Sequence, residues 1–168
     1  NEVSTQEMVS RTYDQFGRID ILVNNAAVLY GLKPTPAEEL KVEEWDRILK
    51  VNVIGQWLCC KAVFPWMKKQ GKGKIINISS DVVWLGLVGF LHYCCSKGAV
   101  VAMTRDLAVE WGKYGINVNS VAPGLMMTEA GVRQTESVPE MRDLVITRQC
   151  IKRLGQPTDP VGCVVFLS

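Results

Sequence analysis

Three short apolar runs alternate with longer segments of helical periodicity, and this alternation constrains the fold more than any other feature of the chain. The runs cover residues 19–23, 73–79 and 116–124, and turn-forming or polar residues end each of them. Strands joined by long helical crossovers pair in parallel, and a parallel sheet is covered by helices on both faces. The sequence therefore predicts an α/β fold with a doubly wound parallel sheet.

Helical patterns fill most of the remaining chain. The segments are 2–16, 43–51, 53–70, 93–112 and 159–168. Thr35 and Glu38 have the spacing of a capping box, with Pro36 at the first helical position, so a further helix is expected to begin there. The polar stretch 128–148 predicts a mobile loop that contains a helix.

Length, composition and charge restrict the class of protein. The 168 residues are enough for one domain with a core, and we treat residues 1–168 as that single domain. The formal net charge of +2 predicts no nucleic-acid partner. The longest charge-free run, 82–96, contains Gly86 and Gly89 and is too short to span a bilayer, so no membrane segment is expected.

Six cysteines raise the question of disulfides and metals. Four of them form the adjacent pairs Cys59-Cys60 and Cys94-Cys95 within helical segments, where neighbouring side chains point apart. Neither pair has metal-ligand spacing, so no metal site is predicted. We expect reduced, mostly packed cysteines in a cytoplasmic protein.

The helix expected over 93–112 is apolar on more than one face. One face can cover the sheet, and the other needs a second partner. Together with the apolar helix over 53–70, it predicts a homodimer or a homotetramer.

Polar and turn-forming residues follow every predicted strand. Asn24 and Asn25 follow the first, Ser79 and Ser80 the second, and a Pro-Gly turn the third. The carboxyl ends of parallel strands are where such sheets bind ligands. Four positions separate Tyr93 from Lys97, so the two side chains stack on one helix face near the same edge.

Five motifs occur in order along the chain. They are LVNNAA, VNVIG, INISS, YCCSK and VAPG. In this order the chain resembles the classical short-chain dehydrogenase/reductase family over nearly its whole length. The resemblance implies a Rossmann-like fold and hydride transfer between NAD or NADP and a small-molecule alcohol or ketone.

The resemblance also implies catalytic roles for four residues. Tyr93 matches the catalytic acid/base, and Lys97 matches the lysine that lowers the tyrosine pKa and binds the nicotinamide ribose. Ser80 matches the serine that holds the substrate oxygen, although Ser79 is a rival. Asn52 matches the asparagine that holds a water in a proton relay. A nearby cation stabilises a phenolate, which supports the pairing of Tyr93 with Lys97 on physical grounds.

Further positions match the cofactor-binding segments of the family. Asn25 and Ala26 match the turn beside the adenosine half of the cofactor. Pro123, Gly124 and Thr128 match the segment at the nicotinamide end. Tyr93 and Lys97 complete this predicted cofactor-binding set.

The stretch 84–91 is interpreted as an apolar wall for a small or medium, largely apolar substrate, with Met126 and Met127 opposite. His92 is expected to have a packing or rim role. Two other functions stay open: a non-catalytic oligomerising scaffold with a vestigial site, and a non-redox epimerase, dehydratase or lyase. The residues before Asn24 do not contain the glycine-rich turn of the family. We therefore expect the first strands and the last strand to lie outside this sequence.

Overall fold

The computed structural model describes residues 1–29, 31–137 and 139–168. Three strands there form one parallel sheet, in the order β1-β2-β3. The strands are β1 (Ile21–Asn24), β2 (Gly73–Ile78) and β3 (Ile116–Val121). Val23 pairs with Ile76, which pairs with Asn119 on its other side. The predicted α/β architecture with a parallel sheet is confirmed.

Helices connect and cover the strands. They are α1 (Glu2–Phe16), α2 (Val42–Leu49), α3 (Gln56–Gln70), α4 (Val82–Leu85), α5 (Leu91–Trp111), α6 (Glu129–Ser137), α7 (Pro139–Arg148) and α8 (Val161–Leu167). A π-helical segment, Lys50–Gly55, joins α2 to α3. The stretch predicted to be a loop with one helix thus contains both α6 and α7.

Strand β1 begins two residues later than predicted. The side chain of Gln70 takes the place of a strand neighbour at Ile19: its Oε1 accepts from the Ile19 N–H at 2.9 Å, and its Nε2 donates to the Ile19 carbonyl at 2.8 Å. Within the described chain β1 has a neighbouring strand on one side only, and Ile21 and Val23 are 47% and 43% exposed.

The predicted capping box at Thr35 and Glu38 is wrong. The Thr35 hydroxyl donates to the Lys33 carbonyl at 3.1 Å instead of accepting from a helix N–H. Pro36 precedes only a short 3₁₀ turn, Ala37–Glu39, with no side-chain cap. At the next helix one half of a capping box forms: the backbone N–H of Lys41 donates to Glu44 Oε2 at 3.1 Å, whereas the Lys41 side chain has no acceptor to return the bond.

The main hydrophobic core lies where α1, α3 and α5 meet the sheet. Its buried members are Val9, Ile19, Cys60, Val63, Met67, Ile75, Leu107, Trp111, Ile116 and Val118. Phe64 stacks on Trp111 with ring centroids 4.5 Å apart. Such offset aromatic pairs add about 1 kcal/mol beyond the burial of their area. This pair joins α3 to the last turn of α5, and the shared core packs α5 against the sheet.

The apolar surface of α5 is only partly covered. Val109 is 85% exposed and Leu91 is 43% exposed, although α2 and the π-helical segment also pack against this helix. The cysteines are all unpaired, but Cys95, Cys150 and Cys163 are exposed, which corrects the expectation of mostly packed thiols. Within the described residues, no helix combines the length and the apolar composition needed to cross a membrane.

One tight turn depends on a glycine. Gly115 precedes β3 with φ +73°, and a Cβ atom there would collide with the Gly71 carbonyl oxygen. The Gly115 carbonyl in turn accepts from the Gly73 N–H at 3.3 Å. A residue without a side chain is required because two backbone segments meet at this point.

Candidate active site

A cavity of about 540 Å³ opens at the carboxyl ends of the three strands. It brings together most of the residues singled out from the sequence: Asn25, Ser79, Ser80, Tyr93, Lys97, Pro123, Gly124 and Thr128. Ala26 and Asn52 are not on its wall, whereas Ala27 is. The cavity lies where ligands of open parallel sheets bind.

Tyr93 and Lys97 occupy successive turns at the start of α5, and both are nearly inaccessible to solvent, at 6% and 2% exposure. The Lys97 ammonium nitrogen lies 5.8 Å from the centroid of the Tyr93 ring. It also donates a hydrogen bond to the Ile78 carbonyl, at the end of β2, over 2.8 Å. The helix and the central strand therefore fix the lysine together.

The charge on Lys97 is not neutralised by a carboxylate anywhere in the part of the chain that the structure describes. Burial lowers the pKa of Lys97 to about 8, because removal from water disfavours the charged form. A buried cation beside a phenol ring is an arrangement that perturbs protonation and is typical of functional sites.

The two serines after β2 have different partners. The Ser79 hydroxyl donates to the Lys97 carbonyl at 2.9 Å, so its single proton has a structural use. The Ser80 hydroxyl has longer contacts, 3.3 Å to Asp81 Oδ1 and 3.5 Å to the Pro123 carbonyl. Ser80 is thus the serine whose proton is more easily released to a ligand in the cavity.

Asn52 is completely buried within the π-helical segment. Its Oδ1 accepts from the Val28 N–H at 2.7 Å, and its Nδ2 donates to the Val28 carbonyl at 3.1 Å and to Ser96 Oγ at 3.0 Å. The side chain therefore ties the loop after β1 to helix α5. Sequence reasoning missed this link because Val28 and Ser96 carry no signal of their own.

A buried polar ladder crosses the sheet below the cavity. Asn24 Nδ2 donates to Asn77 Oδ1 at 2.9 Å, and Asn77 Nδ2 donates to Thr104 Oγ1 at 3.0 Å. Thr104 in turn donates to the Val100 carbonyl at 2.7 Å. The ladder links β1, β2 and α5, and it gives Asn24 a structural rather than a ligand-facing position.

The expected apolar wall is confirmed in part. Leu85, Leu87 and Met126 line the cavity. Trp84 and Val88 instead face solvent, at 66% and 96% exposure. Trp84 lies in the one-turn helix α4, and Val88 lies in the segment between α4 and α5.

His92 lies next to Tyr93 in the chain but packs elsewhere. It is 1% exposed, and its ring meets Trp45 edge-on with centroids 6.2 Å apart. The expected packing role is confirmed, whereas a rim position is wrong.

A parallel sheet covered by helices, with a cavity at its strand ends that a tyrosine–lysine pair of helix α5 lines, defines a Rossmann-type α/β protein. The family model described as "Enoyl-(Acyl carrier protein) reductase" matches residues 1–168. The chain belongs to the classical short-chain dehydrogenase/reductase family.

Curated relatives agree with this assignment. The chain is 41% identical over 170 residues to the (2S)-[(R)-hydroxy(phenyl)methyl]succinyl-CoA dehydrogenase subunit BbsD of Thauera aromatica, covering 100% of this chain and 65% of that protein. It is 41% identical over 167 residues to the D-threitol dehydrogenase of Mycolicibacterium smegmatis, covering 98% and 62%. The chain therefore spans about two thirds or less of the length of these relatives.

Solved structures share the fold. A gluconate 5-dehydrogenase from Burkholderia cenocepacia, in complex with NADP and tartrate, is 30% identical with a TM-score of 0.92, and the match covers 100% of this chain and 64% of that one. An NAD⁺-bound xylitol dehydrogenase is 29% identical with a TM-score of 0.91, covering 99% and 68%.

Proposed function

We propose that the protein is a nicotinamide-dependent oxidoreductase that interconverts a secondary alcohol and a ketone. The observation that carries the proposal is the lining of one cavity by Ser80, Tyr93 and an unneutralised, buried Lys97. Both named relatives are dehydrogenases, as are both solved structures.

In this proposal Tyr93 donates a proton to the carbonyl oxygen during reduction and removes it during oxidation. An ordinary tyrosine, with a pKa near 10, is a poor base at neutral pH. The Lys97 ammonium stabilises the phenolate, which brings the proton affinity of the phenol closer to the working pH. The carbonyl of Ile78 holds the ammonium in position without cancelling its charge.

Ser80 is proposed to donate a hydrogen bond to the reacting oxygen. Its hydroxyl lies in the cavity with only long contacts to Asp81 and Pro123, so turning it toward a ligand costs little. Asn52 is proposed as a positioning residue, because its hydrogen bonds to Val28 and Ser96 hold the loop after β1 in a fixed position relative to α5.

The residues present fit the nicotinamide half of a dinucleotide. The buried ammonium of Lys97 offers donors to ribose hydroxyls, and the cavity extends past Pro123, Gly124 and Thr128 on one side and Asn25 on the other. We propose these residues, together with Tyr93 and the neighbouring Ala26, as the cofactor-binding set for NAD or NADP. When bound, the nicotinamide ring supplies or accepts the hydride.

Assembly and location are part of the proposal. Exposed apolar side chains on α3 and α5, such as Trp57 at 41% and Val109 at 85%, support a homodimer or homotetramer formed through these helices. The unpaired cysteines support a reducing, cytoplasmic location. Light scattering tests the assembly, and a monomer would contradict it.

The function is tested with the purified full-length protein, NAD or NADP, and a panel of secondary alcohols and ketones. The measurement is the absorbance change of the nicotinamide, combined with identification of the products. We expect redox turnover with at least one carbonyl or alcohol class. Conversion without net redox change would indicate an epimerase or dehydratase, and no conversion by any of them would favour a scaffold.

A further inference from the structure

A second functional group, the carboxylate of Asp81, faces the cavity beside Ser80. Asp81 is half-buried and lines the cavity, and its Oδ1 accepts from Ser80 Oγ at 3.3 Å. Its Oδ2 lies over Gly124, where an added Cβ would come within 3.0 Å of this oxygen. The carboxylate therefore lies next to the position proposed for the reacting oxygen.

The structural contacts of this carboxylate are local. Asp81 precedes α4, and besides Ser80 only the backbone N–H groups of Asp81 and Val82 act on its carboxylate as donors within the described chain. It has no ion-pair partner among residues 1–29, 31–137 and 139–168. Burial raises the pKa of Asp81, so the ionised group gains from any further donor that enters the cavity.

Hydrogen-bond accounting shows what a ligand changes. Ser80 has one hydroxyl proton, and a ligand oxygen competes for it with Asp81 Oδ1 at 3.3 Å and the Pro123 carbonyl at 3.5 Å. When the proton turns to the ligand, Asp81 loses its side-chain donor in a partly desolvated position, which is unfavourable. A hydroxyl on the carbon next to the reacting one replaces that donor, because vicinal oxygens lie about one hydrogen-bond length apart, similar to Ser80 Oγ and Asp81 Oδ1.

We propose that Asp81 is a specificity-determining residue that selects substrates with a hydroxyl group on the carbon adjacent to the reacting carbon, that is, vicinal diols and α-hydroxy ketones. This inference rests on the proposed redox function. It refines the expectation of a largely apolar substrate. Leu85, Leu87 and Met126 contact the apolar part of the substrate, and Asp81 accepts a hydrogen bond from one hydroxyl group beside the reacting carbon.

The test compares two ketones of equal chain length, 3-hydroxybutan-2-one and butan-2-one, in the full-length protein with its nicotinamide cofactor. We expect kcat/KM to favour the hydroxy ketone by about tenfold or more, as for one hydrogen bond to a charged group. Asp81→Asn, which keeps the shape but loses the charge, is expected to reduce this ratio to within about threefold of unity. Glu129→Gln is the matched control, because Glu129 also lines the cavity but is paired with Arg133 at 2.9 Å; its ratio is expected to equal that of the wild type.

A binding measurement separates this inference from the redox proposal. Saturation-transfer NMR is used to compare butane-2,3-diol with butan-2-ol on the wild type and on Asp81→Asn, with thermal unfolding to verify that the variant is folded. A diol preference that is lost in Asp81→Asn supports the role of Asp81 even if no ketone is reduced, in which case only the redox proposal fails. A wild type without preference in both measurements, or a preference that Asp81→Asn retains, overturns the inference.

Discussion

The ammonium of Lys97 lies 5.8 Å from the centre of the Tyr93 ring and is tied by a 2.8 Å hydrogen bond to the last carbonyl of β2. No carboxylate shares this position in the described chain, so the protein keeps a buried positive charge at a cost in stability. Such a cost at a cavity wall is explained if the charge acts on the phenol and on a ligand, as the proposed function requires.

Removing the Tyr93 hydroxyl tests the acid/base role. We expect Tyr93→Phe to fold normally and to lose at least about 100-fold in kcat, because the ring is kept and proton transfer is lost. The measurement is nicotinamide-linked turnover on the substrate found for the wild type. Tyr114→Phe is the matched control, since Tyr114 also has a lysine 5.2 Å from its ring but lies outside the cavity; equal losses in both variants would remove the assignment.

The buried lysine, Lys97, is expected to affect activity and stability in opposite directions. Lys97 has a pKa of about 8 in the folded chain, below its ordinary value of 10.5. Between these two pH values the unfolded chain binds one more proton than the folded chain, so the free energy of unfolding rises with pH from about 8 to 10.5. Below pH 8 both states are protonated and this contribution no longer changes. The full difference is about 3 kcal/mol.

We expect Lys97→Met to lose activity by at least about 100-fold and to equal or exceed the wild type in stability at pH 7. Its free energy of unfolding is expected to lack the rise between pH 8 and 10.5 that Lys97 causes in the wild type. Lys113→Met, at an exposed lysine beside Tyr114, is expected to retain the rise. Denaturant unfolding at several pH values measures both; a rise of equal size in Lys97→Met would show that this lysine is not the group responsible.

The choice between the two serines is tested by paired alanine variants. Ser80→Ala is expected to lower kcat/KM by about 100-fold, because a donor to the reacting oxygen is removed. Ser79→Ala removes the hydrogen bond to the Lys97 carbonyl and is expected to cost about 1 kcal/mol in stability with a smaller effect on rate. The reverse pattern of rates would assign the function to Ser79.

Asn52 is expected to matter first for stability. Asn52→Ala removes the partner of the N–H and carbonyl of Val28 and the donor to Ser96 Oγ, which still donates to the Tyr93 carbonyl at 2.7 Å. We expect a loss of roughly 3 kcal/mol in the free energy of unfolding. Asn117→Ala, at an exposed strand position, is expected to change stability by less than about 0.5 kcal/mol. Chemical denaturation of both variants measures the difference, and equal stabilities would argue against a stabilising role of the Asn52 hydrogen bonds to Val28 and Ser96.

The turn at Gly115 gives a prediction independent of catalysis. Gly115→Ala is expected to destabilise by about 2 kcal/mol, because φ is +73° and the new methyl group meets the Gly71 carbonyl. Gly112→Ala is the control, since φ is −54° there and nothing lies near the added atom. Thermal unfolding compares the two, and equal melting temperatures would contradict the close approach.

The spacing of the apolar residues was sufficient to predict the parallel sheet and the long helices, because residues buried against a sheet recur with the period of the element that carries them. The residues at which helices begin and end were harder to predict. Thr35 and Glu38 have a capping spacing, but the same local hydrogen bonds can form a turn, and tertiary contacts decide which one occurs. Strand β1 begins later than predicted because the side chain of Gln70, distant in sequence, hydrogen-bonds to the backbone of Ile19.

The candidate site was predictable where motif spacing determines geometry, as for Tyr93 and Lys97 on one helix face. It was not predictable where a side chain acts through a distant partner. The contact of Asn52 with Val28 and Ser96 spans 24 and 44 positions in the chain. The approach of the Asp81 carboxylate to Gly124 likewise joins two residues that are distant in the chain.

The ladder from Asn24 through Asn77 to Thr104 has a consequence for how faithfully the molecule assembles. A slip of one residue between the first two strands would turn these amides to opposite faces and leave each of them dry and unmatched. Only one register of β1 against β2 therefore satisfies the hydrogen bonds of these buried amides. The same register places the carboxyl ends of both strands at the cavity. Correct strand pairing and formation of the cavity are therefore coupled.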